Sequence, residues 1–507
     1  MNTSNAPSFV ARLFRTTSVD VLRDQGKRPA QLRRALRARD LIAVGLGTMI
    51  GGGIFTTIGP GVKLAGPAII LAFVLAGLAS FFAALCYAEL GAMVPIAGSA
   101  YTYAYATLGQ VVAWIIGFSL LFEYGVSAAP VAQQFSSSFR ALLGSIGVKL
   151  PAWAAGSHFV FHGAWWDVGR WDLSASQYDV VGALFVIALS VLLSLGIRET
   201  ATTNNVFVVL KILALVVFVV FGISLFHAEN LTPFIPLGWG KLAPFSGGNG
   251  TGIIPAAALV FFSYIGFDTA TTTAEECRNP QRDVPVGVIG ALLIGTVIYC
   301  VVAVVLVGIV PWQKVDENAA LAAAVAPLHN PFVDWSITIG VLAGTTSVAL
   351  SSLLGQTRIF YVMARDRMLP PFVAKVNPRT KTPVLMTMVT GVAIAILTLI
   401  VPLDVLLDLV NIGTLAAFSI VCAGVLYLRK SRPELPRPFR VPFVPLFPIL
   451  GILMSLFLAV YGLTTLTWER FVVSLLIGLV IYFAYGFRNS APEQLAHIPE
   501  GLEEIKL

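Results

Sequence analysis

Along most of the chain, long apolar runs alternate with short joints that are polar, basic or rich in Gly and Pro. Twelve such runs lie at about 40–62, 67–92, 109–140, 179–197, 205–226, 251–275, 285–310, 332–360, 382–402, 404–428, 443–465 and 469–487. A helix that crosses a bilayer needs about 20 apolar residues for a core of about 30 Å, and these runs have that length. The third and eighth are long enough to run past the bilayer or tilt strongly. The pattern predicts an all-α polytopic membrane protein with 12 transmembrane helices. An even count puts both termini on one side.

Two runs are interrupted. The first passes through Gly45-Leu46-Gly47-Thr48-Met49-Ile50-Gly51-Gly52-Gly53-Ile54-Phe55. Five glycines in nine residues make a poor continuous helix, each costing up to about 1 kcal/mol against Ala. The sixth passes through Phe261-Phe262-Ser263-Tyr264-Ile265-Gly266-Phe267-Asp268-Thr269, where an apolar run meets a glycine and an acid. Unwound backbone at membrane depth is tolerated only where protein or a cavity satisfies it. The breaks are about 215 residues apart, and the fifth and tenth runs about 200. These offsets predict two inverted five-span halves, 40–226 and 251–428. Broken helices at equivalent positions of inverted repeats point to a transporter's central site. Close helix packing through Gly47 and Gly51 is the other reading, and the acid in the second break weighs against it. The runs within 443–487 are then two additional helices, between an N-terminal segment 1–39 and a tail 488–507.

Composition agrees with a lipid setting. The chain is 57% hydrophobic and 12% charged, where soluble domains carry about 25% charged residues. Mean hydropathy is +0.84. An ordinary cytosolic enzyme, a secreted domain and a disordered chain are excluded. The net charge of +7 raises nucleic acid as a partner, but its distribution decides otherwise. With the N-terminus inside, 25 of the 33 Lys and Arg residues fall on the cytoplasmic face and seven on the other. This positive-inside bias predicts cytoplasmic termini and no nucleic-acid partner. Segment 27–40, with Leu32, Leu36 and Leu41 at helical spacing, suits a short amphipathic helix on the inner leaflet or topogenic charge alone. The first 35 residues have no apolar signal core, so the first span is expected to direct insertion. Cys86, Cys277, Cys300 and Cys422 have no metal-like spacing and read as core hydrophobes.

Enzyme chemistry finds no support. There is no GxxxxGK[ST], no HExxH and no His/Asp metal cluster within the spans, and the Gly45-x-Gly47 start lacks the spacing of a dinucleotide fingerprint. No cofactor is implied, and no repeated filter ring argues for a channel. A solute carrier moving a small molecule through the lipid bilayer fits best, and a monomer suffices for it. The ionisable residues within the runs are then the candidates for chemistry: Glu89, Glu123, Lys211, Asp268 and, more weakly, Asp408 beside Asn411.

Six segments in order carry a resemblance. They are LRRALRARDLIAVGLGTMIGGGIF at 32–55, CYAELGAMVPIAGSAYTYAY at 86–105, FFSYIGFDTATTTAEECRNPQRDVPVGVIG at 261–290, GQTRIFYVMARDRMLP at 355–370, NIGTLAAF at 411–418 and IYFAYGFRNS at 481–490. With these the chain resembles the amino acid–polyamine–organocation superfamily, and most of all the bacterial relatives of the cationic amino acid transporters. The resemblance implies the five-plus-five inverted-repeat fold of the leucine transporter and amino acid transport by alternating access. It also implies roles. Amides at Gly51, Gly52 and Gly53 would hold the carboxylate at a half-helix N-terminus, where free N–H groups and partial positive charge gather. Carbonyls around Thr48, Met49 and Ile50, with Phe261, Phe262 and Ser263, would take the ammonium. Phe262 would act as an aromatic lid, and Asp268 would face the substrate or the outer gate unless it only caps the following half-helix. Glu123 would bond the broken backbone directly or through water. Lys211 would stand where sodium-coupled relatives hold an ion, bridging the first span to eighth-span hydroxyls such as Ser347 and Ser351, with a proton gradient as the energy source. A lysine that snorkels to the cytoplasmic interface is the alternative. Proton symport and amino acid exchange both remain open, as does a membrane sensor that does not transport. Glu89 reads as structural. Which amino acid is carried is not legible.

Overall fold

The computed structural model describes Leu13 and residues 36–490, apart from 95–98, 146, 149, 155, 157, 162–170, 196–200, 242–243, 246–249, 273, 275–276, 318, 378–379 and 381. Most of the segment at 27–40 and all of the tail after 490 lie outside the described residues, as does Arg198.

A helix stands at each apolar run, since such a run can satisfy its backbone in lipid only internally. The first two runs are α1 (Ala38–Ala65) and α2 (Ile69–Met93). A short α3 (Ser99–Thr107) leads into the third run, which is α4 (Gln110–Leu120), a π-helical stretch (Leu121–Val126) and α5 (Ala128–Ser145). Next come α6 (Val180–Ser194) and α7 (Ala201–Gly222). The sixth run is α8 (Ile253–Val260), a 3-10 turn (Phe261–Tyr264) and α9 (Thr269–Thr272). The chain continues as α10 (Pro280–Ile309), the short α11 (Ala320–Val325), α12 (Pro331–Arg365), α13 (Val384–Ile400), α14 (Leu403–Ser431), α15 (Leu446–Gly462) and α16 (Thr465–Ile481). Among the described residues, eight helical stretches are long and apolar enough to cross a membrane, the first running from Ala38 through Met93. α6, α13 and α15 are shorter apolar helices. Within 141–178, strands β1 (His158–Phe161) and β2 (Trp171–Gln177) pair antiparallel.

α10 packs on α1 and α2, α12 on α7 and α5, α13 on α6, and α14 on α15. The outer faces are apolar, as a lipid setting requires. On α7, Val209 and Val220 are 63% and 60% exposed, while Lys211 between them is fully buried.

Near the C-terminal end of α2 a buried carboxylate gathers the chain. Glu89 accepts from Arg429 Nε (3.0 Å) and Nη2 (2.7 Å) and from the Val441 amide (2.7 Å). The Arg437 guanidinium lies 3.4 Å from the same carboxylate and donates to the carbonyls of Leu428, Arg432, Pro433 and Leu435. The α14–α15 connection is thus folded around one arginine and tied to α2. Removing one partner of a buried ion pair costs about 3–5 kcal/mol, because the other charge is left uncompensated. Glu89→Ala is expected to lower the unfolding midpoint in detergent clearly, with exposed Glu434→Ala as the near-neutral control.

Candidate functional site

Both interrupted helices are broken. α1 leaves helical geometry at Ile50 (φ −80°, ψ 121°) and Gly51 (φ 129°, ψ −63°). The positive φ at Gly51 is one that only glycine adopts without strain. Close packing adds a second demand, since a Cβ there would stand 2.6 Å from the Gly344 carbonyl oxygen of α12. A helix that restarts after a break gathers partial positive charge at its N-terminus. The sixth run breaks after Tyr264, with Ile265 extended (ψ 131°) and Gly266 at φ 111°.

The two breaks face each other and are joined by hydroxyls. Thr48 Oγ1 lies 2.7 Å from the Gly266 carbonyl and 3.0 Å from Thr269 Oγ1, while also meeting the Gly45 carbonyl of its own helix at 2.9 Å. Beyond the break, Thr57 and Ser263 share a hydrogen bond of 2.7 Å. Asn411 of α14 donates to the carbonyls of Ala258 (2.7 Å) and Leu259 (3.3 Å), just ahead of the second break. Tyr299 of α10 donates to the Ser263 carbonyl at 2.8 Å. Much of the backbone freed by the second break therefore has protein partners.

Between the breaks and α12 is a cavity with about 410 Å³ of empty space, part of it open to the exterior. Thr48, Gly52, Gly53 and Phe262 line it. So does Glu123, which sits in the π-helical stretch. Six other residues expected at the substrate do not line it. Met49 and Ile50 are fully buried, with the Met49 side chain lying against Gly295 of α10. Gly51 is closed off by the α12 backbone at Gly344. The Phe261 ring packs edge-on against Phe418, and the Ser263 hydroxyl is engaged by Thr57. Asp268 is fully buried and accepts from the Tyr124 hydroxyl at 2.6 Å, so its carboxylate lies behind the cavity wall.

Lys211 does not snorkel. It is fully buried and donates to the Gly47 carbonyl of α1, just before the break, and to Ser347 of α12 at 3.5 Å. One ammonium thus joins α7, the first broken helix and α12. Ser351, expected beside it, lines the cavity one turn further along α12. Asp408 accepts from Thr467 at 2.9 Å, which ties α14 to α16.

Several wall residues were missed in the sequence: Tyr124, Ser127, Ile265, Gly266, Thr269 and Val348. A signal existed for two of them. Ser127 follows Glu123 at helical spacing, and Thr269 opens the half-helix after the second break.

A family model described as "Amino acid permease" matches residues 36–483, which include both breaks, the cavity wall and Lys211. The chain belongs to the amino acid permease family. This permease is 39% identical over 485 residues to the branched-chain amino acid permease BcaP of Bacillus subtilis, covering 95% of this chain and 99% of the relative. It is 37% identical to the methylthioribose transporter of the same organism, again over 95% and 99% of the two chains. The vacuolar cationic amino acid transporter 4 of Arabidopsis thaliana is 35% identical, over 84% of this chain and 68% of its own.

Proposed function

We propose that the protein carries an α-amino acid across a bacterial cytoplasmic membrane by alternating access, driven by an inward proton gradient. In this reading twelve helices cross the membrane with both termini inside, and the first ten form an inverted five-plus-five repeat. The substrate carboxylate meets the amides at Gly52 and Gly53. Its ammonium is balanced by backbone carbonyls at the breaks and by Glu123, directly or through water. Phe262 closes the path on one side. The observation that carries the reading is the placement of Lys211: a buried ammonium holding α1 to α12 at the break that lines the cavity. While it is protonated the bridge holds, and loss of the proton removes a donor and releases the contact.

The test is uptake in proteoliposomes. An inside-alkaline pH gradient should raise the initial rate and drive accumulation above the external concentration, and an uncoupler should abolish both. Full counterflow with no response to the gradient would assign exchange instead.

A further inference from the structure

The part of the cavity wall that the broken helices do not supply carries hydroxyls beside Tyr124 and Val348. Ser351 and Ser352 of α12 and Ser127, just before α5, all face it. Ser127 donates to Ser352 at 3.2 Å, so these two are already paired. Ser351 makes no hydrogen bond among the described residues, and its hydroxyl is left for whatever fills the space.

Charge narrows the occupant. Among the lining residues Glu123 is the one carboxylate, and there is no Lys or Arg. Glu123 is buried, with the Thr414 hydroxyl beside its carboxylate. A bound amino acid brings an ammonium that needs such a counter-charge, and a carboxylate that the half-helix amides take. With Glu123 so used, a cationic side chain finds no second carboxylate, and an anionic one no cation. What remains of the wall is neutral, and on it the Ser351 and Ser352 hydroxyls stand beside the apolar Val348.

We infer that the transported amino acid has a short, neutral, hydroxyl-bearing side chain, as serine and threonine do. This rests on the reading of the cavity as an amino acid site. Threonine and valine have nearly the same shape, so they isolate the effect. Threonine can bond Ser351 or Ser352, whereas valine sets a methyl group against them and leaves the half-buried Ser351 hydroxyl unmet. A site built to bond a hydroxyl rejects the analogue that lacks it more sharply than an apolar pocket rejects an extra methylene.

The experiment is competition against labelled threonine in proteoliposomes, with unlabelled serine, threonine, valine, leucine and arginine, alongside the melting shift each gives the detergent-purified protein. Serine and threonine should compete about tenfold or more better than valine. In the double variant Ser351→Ala/Ser352→Ala, benign for the helix itself, the threonine-to-valine ratio should fall about tenfold. Valine, leucine or arginine competing as well as threonine, or an unchanged ratio in the variant, overturns the inference. Transport of other amino acids with threonine refused defeats this inference alone. Failure of every amino acid to shift the melt or to be taken up defeats the transport reading beneath it.

Discussion

Replacing Lys211 by alanine is expected to bring gradient-driven uptake down to the background of protein-free vesicles, with expression and membrane insertion unchanged. Lys211 is fully buried, so its ammonium depends on protein partners for the hydration it has lost. Those partners lie on α1 and α12. Alanine leaves the Gly47 carbonyl without its cation, and the end of α1 before the break loses its link through Lys211 to α12. Lys211→Arg sharpens the result. Arginine keeps a positive charge but does not give up its proton in proteins, so it too is expected to abolish the response to a pH gradient. Size-exclusion profiles and melting curves of both variants separate a coupling defect from misfolding. Accumulation equal to that of the parent protein in Lys211→Ala would remove the lysine from the mechanism.

The second large effect is expected from a single methyl group. Gly51→Ala places a side chain at φ 129° and a Cβ 2.6 Å from the Gly344 oxygen and 2.8 Å from its carbonyl carbon. Both obstacles are backbone, so no rotamer change relieves them. Forcing a residue into such a conformation costs about 1–3 kcal/mol, and overpacking costs about 1–3 kcal/mol more. α1 must then move off α12, which displaces the amides of Gly52 and Gly53 from the cavity. Loss of substrate-induced melting shift and of uptake is the expected outcome, together with a lower midpoint. Gly144→Ala is the control, since a Cβ there meets nothing within 4 Å. A Gly51→Ala protein that binds and transports like the parent would mean that the break does not shape the site.

The glycine run and the acid after Gly266 announced the two breaks, because a helix in lipid cannot tolerate such residues without a local reason. They did not say which groups face the cavity. That depends on rotation about each helix axis, and the runs are apolar on most sides, so no polar stripe marks a face. Asp268 illustrates the difficulty. Its position in the break was readable, but Tyr124, which takes its carboxylate, lies on another helix more than a hundred residues away. Ser351 and Ser347 differ by one turn of α12, and only the packing of α7 decides that the lysine meets the second and the cavity keeps the first. Glu89 was legible as structural, yet its arginine partners, Arg429 in the last turn of α14 and Arg437 in the connection after it, lie more than three hundred residues away in the sequence.

The hydroxyl contacts between the two broken helices have a mechanical consequence. Thr48 joins Gly266 and Thr269 on one side of the breaks, and Thr57 joins Ser263 on the other. Two pins across a joint stop it from shearing. The interrupted helices therefore form one jointed beam, and under the alternating access proposed above the seam that opens would run between that beam and α12, where backbone meets backbone at Gly51 and Gly344.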